Sequence, residues 1–215
     1  MKDQDISALR REYVAEGLHR RDLLADPTAQ FAQWLEAARL AHPDDATSMA
    51  LATADSEGMP AVRIVLLKRF DAQGFAWFTN YESEKGQHLL SNPQAELLFY
   101  WKGLERQVRV RGSVARLNHD EAQAYFSERP LGSQLSAAVS RQSAPVASRE
   151  VLEEAVKNLQ ERLGDAGVIC PESWGGYLLK PQRFEFWQGR ENRLHDRFIY
   201  TLDQQRQWIL SRLQP

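Results

Sequence analysis

Apolar positions along the chain change their spacing twice. In DPTAQFAQWLEAARLAH, from Asp26 to His42, Phe31, Trp34, Leu35 and Ala38 recur three and four residues apart, which lays them on one stripe of a helix. Asp26 is placed to cap that helix, and Pro27 suits its first position, where the missing N–H has no intrahelical acceptor. From Thr47 to Gly112 the texture turns to short β-branched and aromatic runs: TSMALATAD, PAVRIVLLKRF, GFAWFTN, AELLFYW and RQVRVRGSVARL. SEGM, a glycine-bearing turn, separates the first two. SEKGQHLLSNP predicts a short helix beginning at Ser83 and stopping before Pro93. NHDEAQAYFSER predicts another, with Asn118 as cap, Glu121 in the capping-box position and Pro130 ending it. SREVLEEAVKNLQERLG predicts a third, capped by Ser148 and closed by Gly164. Strands return in GGYLLKP, RFEFWQG, DRFIYTL and QWILSRL.

The order is helix, strands, helices, strands, without the βαβ alternation of a parallel sheet. It predicts an α+β fold with an antiparallel sheet or barrel built from both halves of the chain. An open barrel with aromatic strands calls for a covering partner, and a homodimer supplies one. Residues 1–25 are highly charged and are expected to form a mobile or helical N-terminal segment, with 26–215 as a single domain.

Bulk properties narrow the classes. A length of 215 residues, 43% hydrophobic and 26% charged, is ordinary for one globular domain. A formal net charge of −2 provides no global attraction for nucleic acid or an anionic membrane. The single cysteine, Cys170, has no partner for an internal disulfide, which fits a reducing cytoplasm. The opening MKDQDISALRREY lacks the apolar stretch of a signal peptide, and no apolar run approaches the roughly 18 residues of a membrane helix. A cytoplasmic protein without a membrane span is expected.

Several common sites are absent: there is no G-x-G-x-x-G, no phosphate-binding Walker loop and no G-x-S-x-G elbow. The five histidines, at positions 19, 42, 88, 119 and 195, lack ligand-like spacing, so no metal is expected. What stands out is cationic capacity without a glycine loop. Arg63 and Lys68 bracket RIVLLK. Ser83 and Lys85 sit where a helix begins, so its N–H groups and dipole add to them. Arg129 precedes PLGSQ. In WQGRENRLHDRFIY, Arg193, His195 and Arg197 recur every second residue, and in a strand that spacing lines one face with cationic or titratable groups that need an anion among them. The bland reading is that these are solvated surface charges, as most arginines and lysines are. It is weakest for Arg63, which interrupts a run of aliphatics where a charge is costly unless paired. Arg63 and Lys68 are five apart and face opposite sides of a regular strand, so they share a ligand only through a bulge, a strand end or a subunit boundary. Trp77, Phe78, Tyr100, Trp101, Phe184, Phe186 and Trp187 are ordinarily core. Joined to phosphate-ready cations they also suit a flat ring carrying a phosphate, or stacked bases.

LRREY (9–13), RRDL (20–23), RIVLLK (63–68), LERQVRV (104–110), YFSERPLGSQ (125–134), VSRQS (139–143), WGG (174–176) and EFWQGRENRLHDRF (185–198) resemble, in order and across almost the whole chain, the pyridoxine/pyridoxamine 5'-phosphate oxidase family. The resemblance implies a split β-barrel homodimer, a flavoprotein with FMN at the subunit interface. It implies a reaction in which hydride leaves C4' of the phosphorylated vitamer for flavin N5. Dioxygen then reoxidises the flavin to give hydrogen peroxide, and the amine substrate also releases ammonia; the product is pyridoxal 5'-phosphate. By position, Arg63, Lys85 and Ser143 match contacts to the FMN phosphate, with Ser83 at the helix start and Gln142 beside them. Arg63, Ile64, Val65, Leu66 and Lys68, with Phe78, Thr79, Gln107, Trp187 and Arg197, match the wall around the rest of the flavin. Lys68, Tyr125, Arg129 and Ser133 resemble a clamp on the substrate phosphate. Arg193 and His195 resemble the catalytic pair facing the reacting carbon, and Arg10 and Tyr13 an N-terminal segment closing over the substrate. Two positions depart from the pattern. The family often reads SRK where this chain reads SEK, so Glu84 replaces a cation near the flavin phosphate, and a tyrosine often stands where Phe78 sits.

Three alternatives remain: a related flavin oxidase acting on another planar substrate such as a phenazine precursor, a flavin- or heme-binding split barrel without turnover, and a single-strand nucleic-acid binder. The slightly acidic chain disfavours the last, and the complete phosphate clamp disfavours the second.

Overall fold

In a computed structural model of the chain, residues 12–164 and 166–215 are described. The strands are β1 (Ser48–Ala54), β2 (Pro60–Leu66), β3 (Arg69–Asp71), β4 (Gly74–Asn80), β5 (Gln94–Trp101), β6 (Arg106–Arg116), β7 (Trp174–Gln188), β8 (Asp196–Leu202) and β9 (Trp208–Leu213). The helices are α1 (Pro27–Ala41), α2 (Glu84–Ser91), α3 (His119–Glu128), α4 (Leu131–Val139) and α5 (Arg149–Leu163). Strand order is β2-β1-β5-β6-β7-β4-β3, with β8 paired to β7 and β9 to β8. The pairings β1–β2, β3–β4, β4–β7, β7–β8 and β8–β9 are antiparallel, as the α+β expectation requires.

The chain divides into two compact units. The terminal unit comprises the described part of Met1–Thr47 with Leu98–Val110 and Gln182–Pro215. Its core is the apolar stripe of α1 packed on aromatic strand residues. Phe31 meets Phe99 at 4.9 Å and Trp34 stands edge-on to Phe186 at 5.2 Å between ring centroids. Asp26 caps α1 by accepting from the Thr28 N–H at 2.9 Å, and the Arg106 guanidinium lies 4.5 Å over the Trp34 ring. Full burial of rings of this size contributes roughly 2–3 kcal/mol each.

The cavity unit comprises Ser48–Leu97 and Arg111–Pro181. Met49, Leu51, Phe75, Trp77, Leu97 and Leu179 form its buried interior. Strand β2 alternates strictly, with Val62, Ile64 and Leu66 exposed and Ala61, Arg63 and Val65 partly covered. Its register sets Arg63 opposite Leu51 on β1. The turn between them is tied by Asp55, whose carboxylate accepts from the Glu57 and Met59 N–H groups at 2.9 Å. Asn118 caps α3 through the Glu121 N–H at 2.7 Å.

Three local expectations are corrected, and one helix went unread. PAVRIVLLKRF is not one strand, because β2 ends at Leu66 and β3 starts at Arg69. GGYLLKP and RFEFWQG form one strand, β7, that runs through Pro181 with the loss of one ladder donor. PLGSQLSAAV, which carries no strong helix signal, contains a helix, α4. Arg193 and His195 do not sit in a strand. Glu191–Arg193 is a 3-10 turn with Asn192 and Arg193 at positive φ of 55° and 60°, and β8 begins only at Asp196. The every-second-residue argument for one cationic face therefore fails for this trio.

Candidate functional site

In the cavity unit a pocket of about 1120 Å³ gathers thirteen of the residues singled out from the sequence: Arg63, Ile64, Val65, Leu66, Lys68, Phe78, Thr79, Lys85, Tyr125, Arg129, Ser133, Gln142 and Ser143. Strand β2 supplies the first four. Lys68 follows the strand's end, which removes the parity objection, since alternation stops at Leu66. The end of β4, the start of α2, the last turn of α3, helix α4 and the segments flanking it bring the rest.

Arg63 is a cation held in an aliphatic strand by acceptors. Its Nη1 donates to Thr53 Oγ1 at 2.6 Å and to the carbonyls of Ala61 and Leu51 at 3.2 and 3.3 Å, while Nη2 pairs with Glu84 Oε2 at 2.9 Å. Lys85 is buried, and its Nζ donates to Gln142 Oε1 at 2.9 Å, Ser83 Oγ at 3.1 Å and Thr79 Oγ1 at 3.3 Å, all uncharged oxygens. Burial pushes its ammonium down to about 8, Arg63 adds to the shift and Glu84 opposes it. Ser83 is fully buried beneath the amine, outside the pocket lining. Ser143 adopts a left-handed backbone with φ of 72°, uncommon for a residue with a side chain, and its Oγ accepts from the Glu84 N–H at 3.2 Å. This corner presents a guanidinium, a desolvated ammonium and a hydroxyl at the start of α2, the chemistry of a phosphate seat.

The same pocket carries two further cations, Lys68 and Arg129. Arg129 lies 4.8 Å over the Trp174 ring, burial lowers its proton affinity, and its buried Nη1 has no hydrogen-bond partner among the described residues. Phe78 stacks on Tyr125 at 4.0 Å and on Trp174 at 5.5 Å, giving the pocket an aromatic wall.

The remaining residues lie in the terminal unit. Tyr13 stands edge-on to Trp187 at 5.5 Å and to His195 at 5.1 Å, and Trp187 meets His195 at 4.7 Å. His195 Nδ1 accepts from the Arg190 N–H at 3.1 Å, which leaves the proton of the neutral ring on Nε2. Burial and then Arg193 push the imidazole below its ordinary range, with Asp196 opposing. Arg197 donates from Nε and Nη2 to Glu185 Oε1 at 2.9 and 2.7 Å and from Nη1 to the Gln214 carbonyl at 3.0 Å. Glu185 is 2% exposed and is also approached by Arg183 at 3.2 Å and Arg109 at 3.4 Å. Gln107 is partly buried on β6, and Arg193 is exposed. Arg10 lies outside the described residues.

Sequence reasoning missed Thr53, Trp174, Glu105 and Glu185. Trp174 was within reach, as it opens the WGG motif. Ser136, Ala137 and Ser140, which also line the pocket, went unread with α4, although Leu131, Leu135 and Val139 carry a four-residue spacing.

Comparison with known proteins identifies the family. Residues 18–162 match the family described as "Pyridoxamine 5'-phosphate oxidase", and residues 174–215 match "Pyridoxine 5'-phosphate oxidase C-terminal dimerisation region". A pyridoxine/pyridoxamine 5'-phosphate oxidase of Pseudomonas fluorescens is 49% identical over 99% of both chains. One of Rippkaea orientalis is 47% identical over 98% of this chain and all of its own. Among solved structures, PhzG of Burkholderia lata, in complex with tetrahydrophenazine-1-carboxylic acid, has a TM-score of 0.87 at 28% identity, covering 94% of this chain and 99% of its own. An FMN-binding protein of Nostoc punctiforme shares the fold, with a TM-score of 0.72 at 17% identity over 90% of this chain and 100% of its own. The fold is thus of the split β-barrel class expected from the sequence. The chain belongs to the pyridoxine/pyridoxamine 5'-phosphate oxidase family of oxidoreductases.

Proposed function

We propose that the chain oxidises pyridoxine 5'-phosphate and pyridoxamine 5'-phosphate to pyridoxal 5'-phosphate, with FMN as coenzyme and dioxygen as acceptor, releasing hydrogen peroxide and, from the amine, ammonia. The observation that carries this reading is one pocket lined by four cations, Arg63, Lys68, Lys85 and Arg129, and by an aromatic wall. The residues fit FMN: a desolvated ammonium whose partners are uncharged oxygens favours an anion beside it, and Ser143 adds a hydroxyl. FMN, when bound, contributes acceptance of the two electrons that leave the vitamer and their transfer to dioxygen.

The chain's own groups bind and orient. Arg63, Lys85, Gln142 and Ser143 would hold the coenzyme phosphate. Arg129, with an unsatisfied Nη1, and Lys68, Tyr125 and Ser133 would hold the vitamer phosphate. His195 offers Nε2–H as a donor and, with Arg193, orients the C4' oxygen or nitrogen. Arg197, Gln107 and Trp187 would complete the flavin surroundings. The matched dimerisation region supports a homodimer, and the coenzyme would lie at its interface. Holding both partners in attack geometry supplies much of the acceleration.

The test is direct: the purified chain with FMN is given each vitamer, and pyridoxal 5'-phosphate and hydrogen peroxide are measured. Failure to oxidise either vitamer overturns the proposal. The likeness to a protein holding a tetrahydrophenazine acid supports a second reading, oxidation of an unphosphorylated planar substrate. Turnover of such a compound that does not depend on Arg129 would favour it.

A further inference from the structure

Residues 12–18 form neither helix nor strand, and their exposure alternates, with Glu12, Val14 and Glu16 exposed and Tyr13, Ala15 and Gly17 partly covered. Two carboxylates from elsewhere in the terminal unit fasten this strap. Glu105, 3% exposed, accepts from the Val14 N–H at 2.9 Å and the Ala15 N–H at 3.0 Å. Asp196, 8% exposed, accepts from the Leu18 N–H at 3.0 Å, and Arg212 joins the same point, pairing with Asp196 at 2.9 Å and donating to the Leu18 carbonyl at 3.3 Å.

Glu105 is itself locked. Its backbone is left-handed, with φ of 54°, and its carbonyl accepts from the Gly189 N–H at 2.8 Å and from Gln188 Nε2 at 3.1 Å. Gly189 is also the seat of the strap's aromatic residue. A Cβ there would stand 2.5 Å from Tyr13 Cδ1 and 3.1 Å from Glu105 Cβ, so only glycine lets the ring close down. Seated this way, Tyr13 rests on Trp187 and His195.

We infer that Glu105 and Asp196 are positioning residues: they commit buried carboxylates to backbone N–H groups of residues 14–18 and so hold Tyr13 over Gly189 against Trp187 and His195. Neither acts on substrate; both act through Tyr13. The inference deepens the proposed function, because it rests on the reading of Tyr13 and His195 as substrate contacts.

Cleavage and kinetics on the full chain loaded with FMN test it separately. Glu16 lies between the two fastening points, so cleavage after it by a glutamate-specific protease reports release of the strap whatever the substrate proves to be. Glu105→Ala is expected to speed that cleavage about tenfold, a conservative figure for losing two hydrogen bonds to a charged acceptor. It is expected to raise KM for pyridoxine 5'-phosphate by about the same factor with kcat nearly unchanged. Glu105→Gln keeps an acceptor oxygen and restores both. The double variant Glu105→Ala with Tyr13→Ala should have the KM of Tyr13→Ala alone, since both remove one action. If Glu105→Ala fails to fold, Val14→Pro deletes one donor from an exposed residue and should move cleavage the same way. Cleavage at the wild-type rate, or KM effects that multiply in the double variant, overturns the inference. A wild-type KM in Tyr13→Ala overturns the substrate role of Tyr13 instead, and cleavage still decides the fastening.

Discussion

Replacing Glu84 by glutamine removes a carboxylate that already occupies one of the proposed phosphate ligands. Glu84 Oε2 lies 2.9 Å from Arg63 Nη2, and its side chain is 59% exposed against 18% for Arg63. An exposed pair of this kind is worth only about 0.2–1 kcal/mol, so the guanidinium gives it up readily. Repulsion outweighs that loss, because a phosphate bearing close to two negative charges and the carboxylate would compete for one cation. At about 6 Å in water-like screening, a charge of one against two costs about 1.4 kcal/mol. Glu84 also supports the protonated state of Lys85, a smaller effect in the opposite direction. The net expectation for Glu84→Gln is a Kd for FMN about five- to tenfold lower, read by flavin fluorescence quenching at low ionic strength. Glu84→Arg should tighten binding further, and both gains should shrink in about 0.5 M salt as the Debye length shortens. An unchanged or weaker affinity in Glu84→Gln at low salt would refute the placement of the phosphate beside Arg63.

Other expectations follow from the same geometry. Arg129→Ala should raise KM for pyridoxine 5'-phosphate by about one to two powers of ten while FMN stays bound, the worth of a charge-assisted contact to phosphate; an unchanged KM contradicts the clamp. Lys85 is pushed down to about 8 from 10.5, so FMN affinity should fall as pH rises through about 8. The coenzyme-free protein should instead gain stability between about 8 and 10.5, where the unfolded chain still binds the proton that the folded one has lost, and thermal melts across that range check the sign. His195 is shifted below its ordinary 6.5, so the acid limb of kcat/KM should lie below that value and vanish in His195→Ala; a limb above it refutes the neutral-donor role. Phe31→Ala, at a fully buried ring, should cost about 3–5 kcal/mol in denaturant unfolding.

Local signals in the sequence were honoured where the physics is local. Asp26 and Asn118 cap the helices that their spacing announced, because a cap needs only the next two or three N–H groups. The proposed phosphate seat was legible for a similar reason: Arg63 in an aliphatic strand demanded a partner, and Thr53 and Glu84 supply it. The stretch from Glu191 to His195 misled because its left-handed residues are Asn192 and Arg193, and no glycine marks the break. Helix α4 hid its apolar spacing among Gly132, Ser133 and Ser136. Glu105 was unreadable in principle, since the N–H groups it receives lie 90 and 91 residues away and no periodicity encodes such a meeting.

Strand alternation along β2 makes hydrogen-bond register a determinant of chemistry as well as of folding. A slide of β2 by one residue along β1 would set Ile64 opposite Leu51 and turn the guanidinium of residue 63 to the outer face, with every backbone bond remade and the anion seat gone. The carboxylate of Asp55, which ties the turn and lies outside the pocket lining, is the safeguard against that slide. Insertions at this hairpin are therefore tolerable only when they leave that knot intact.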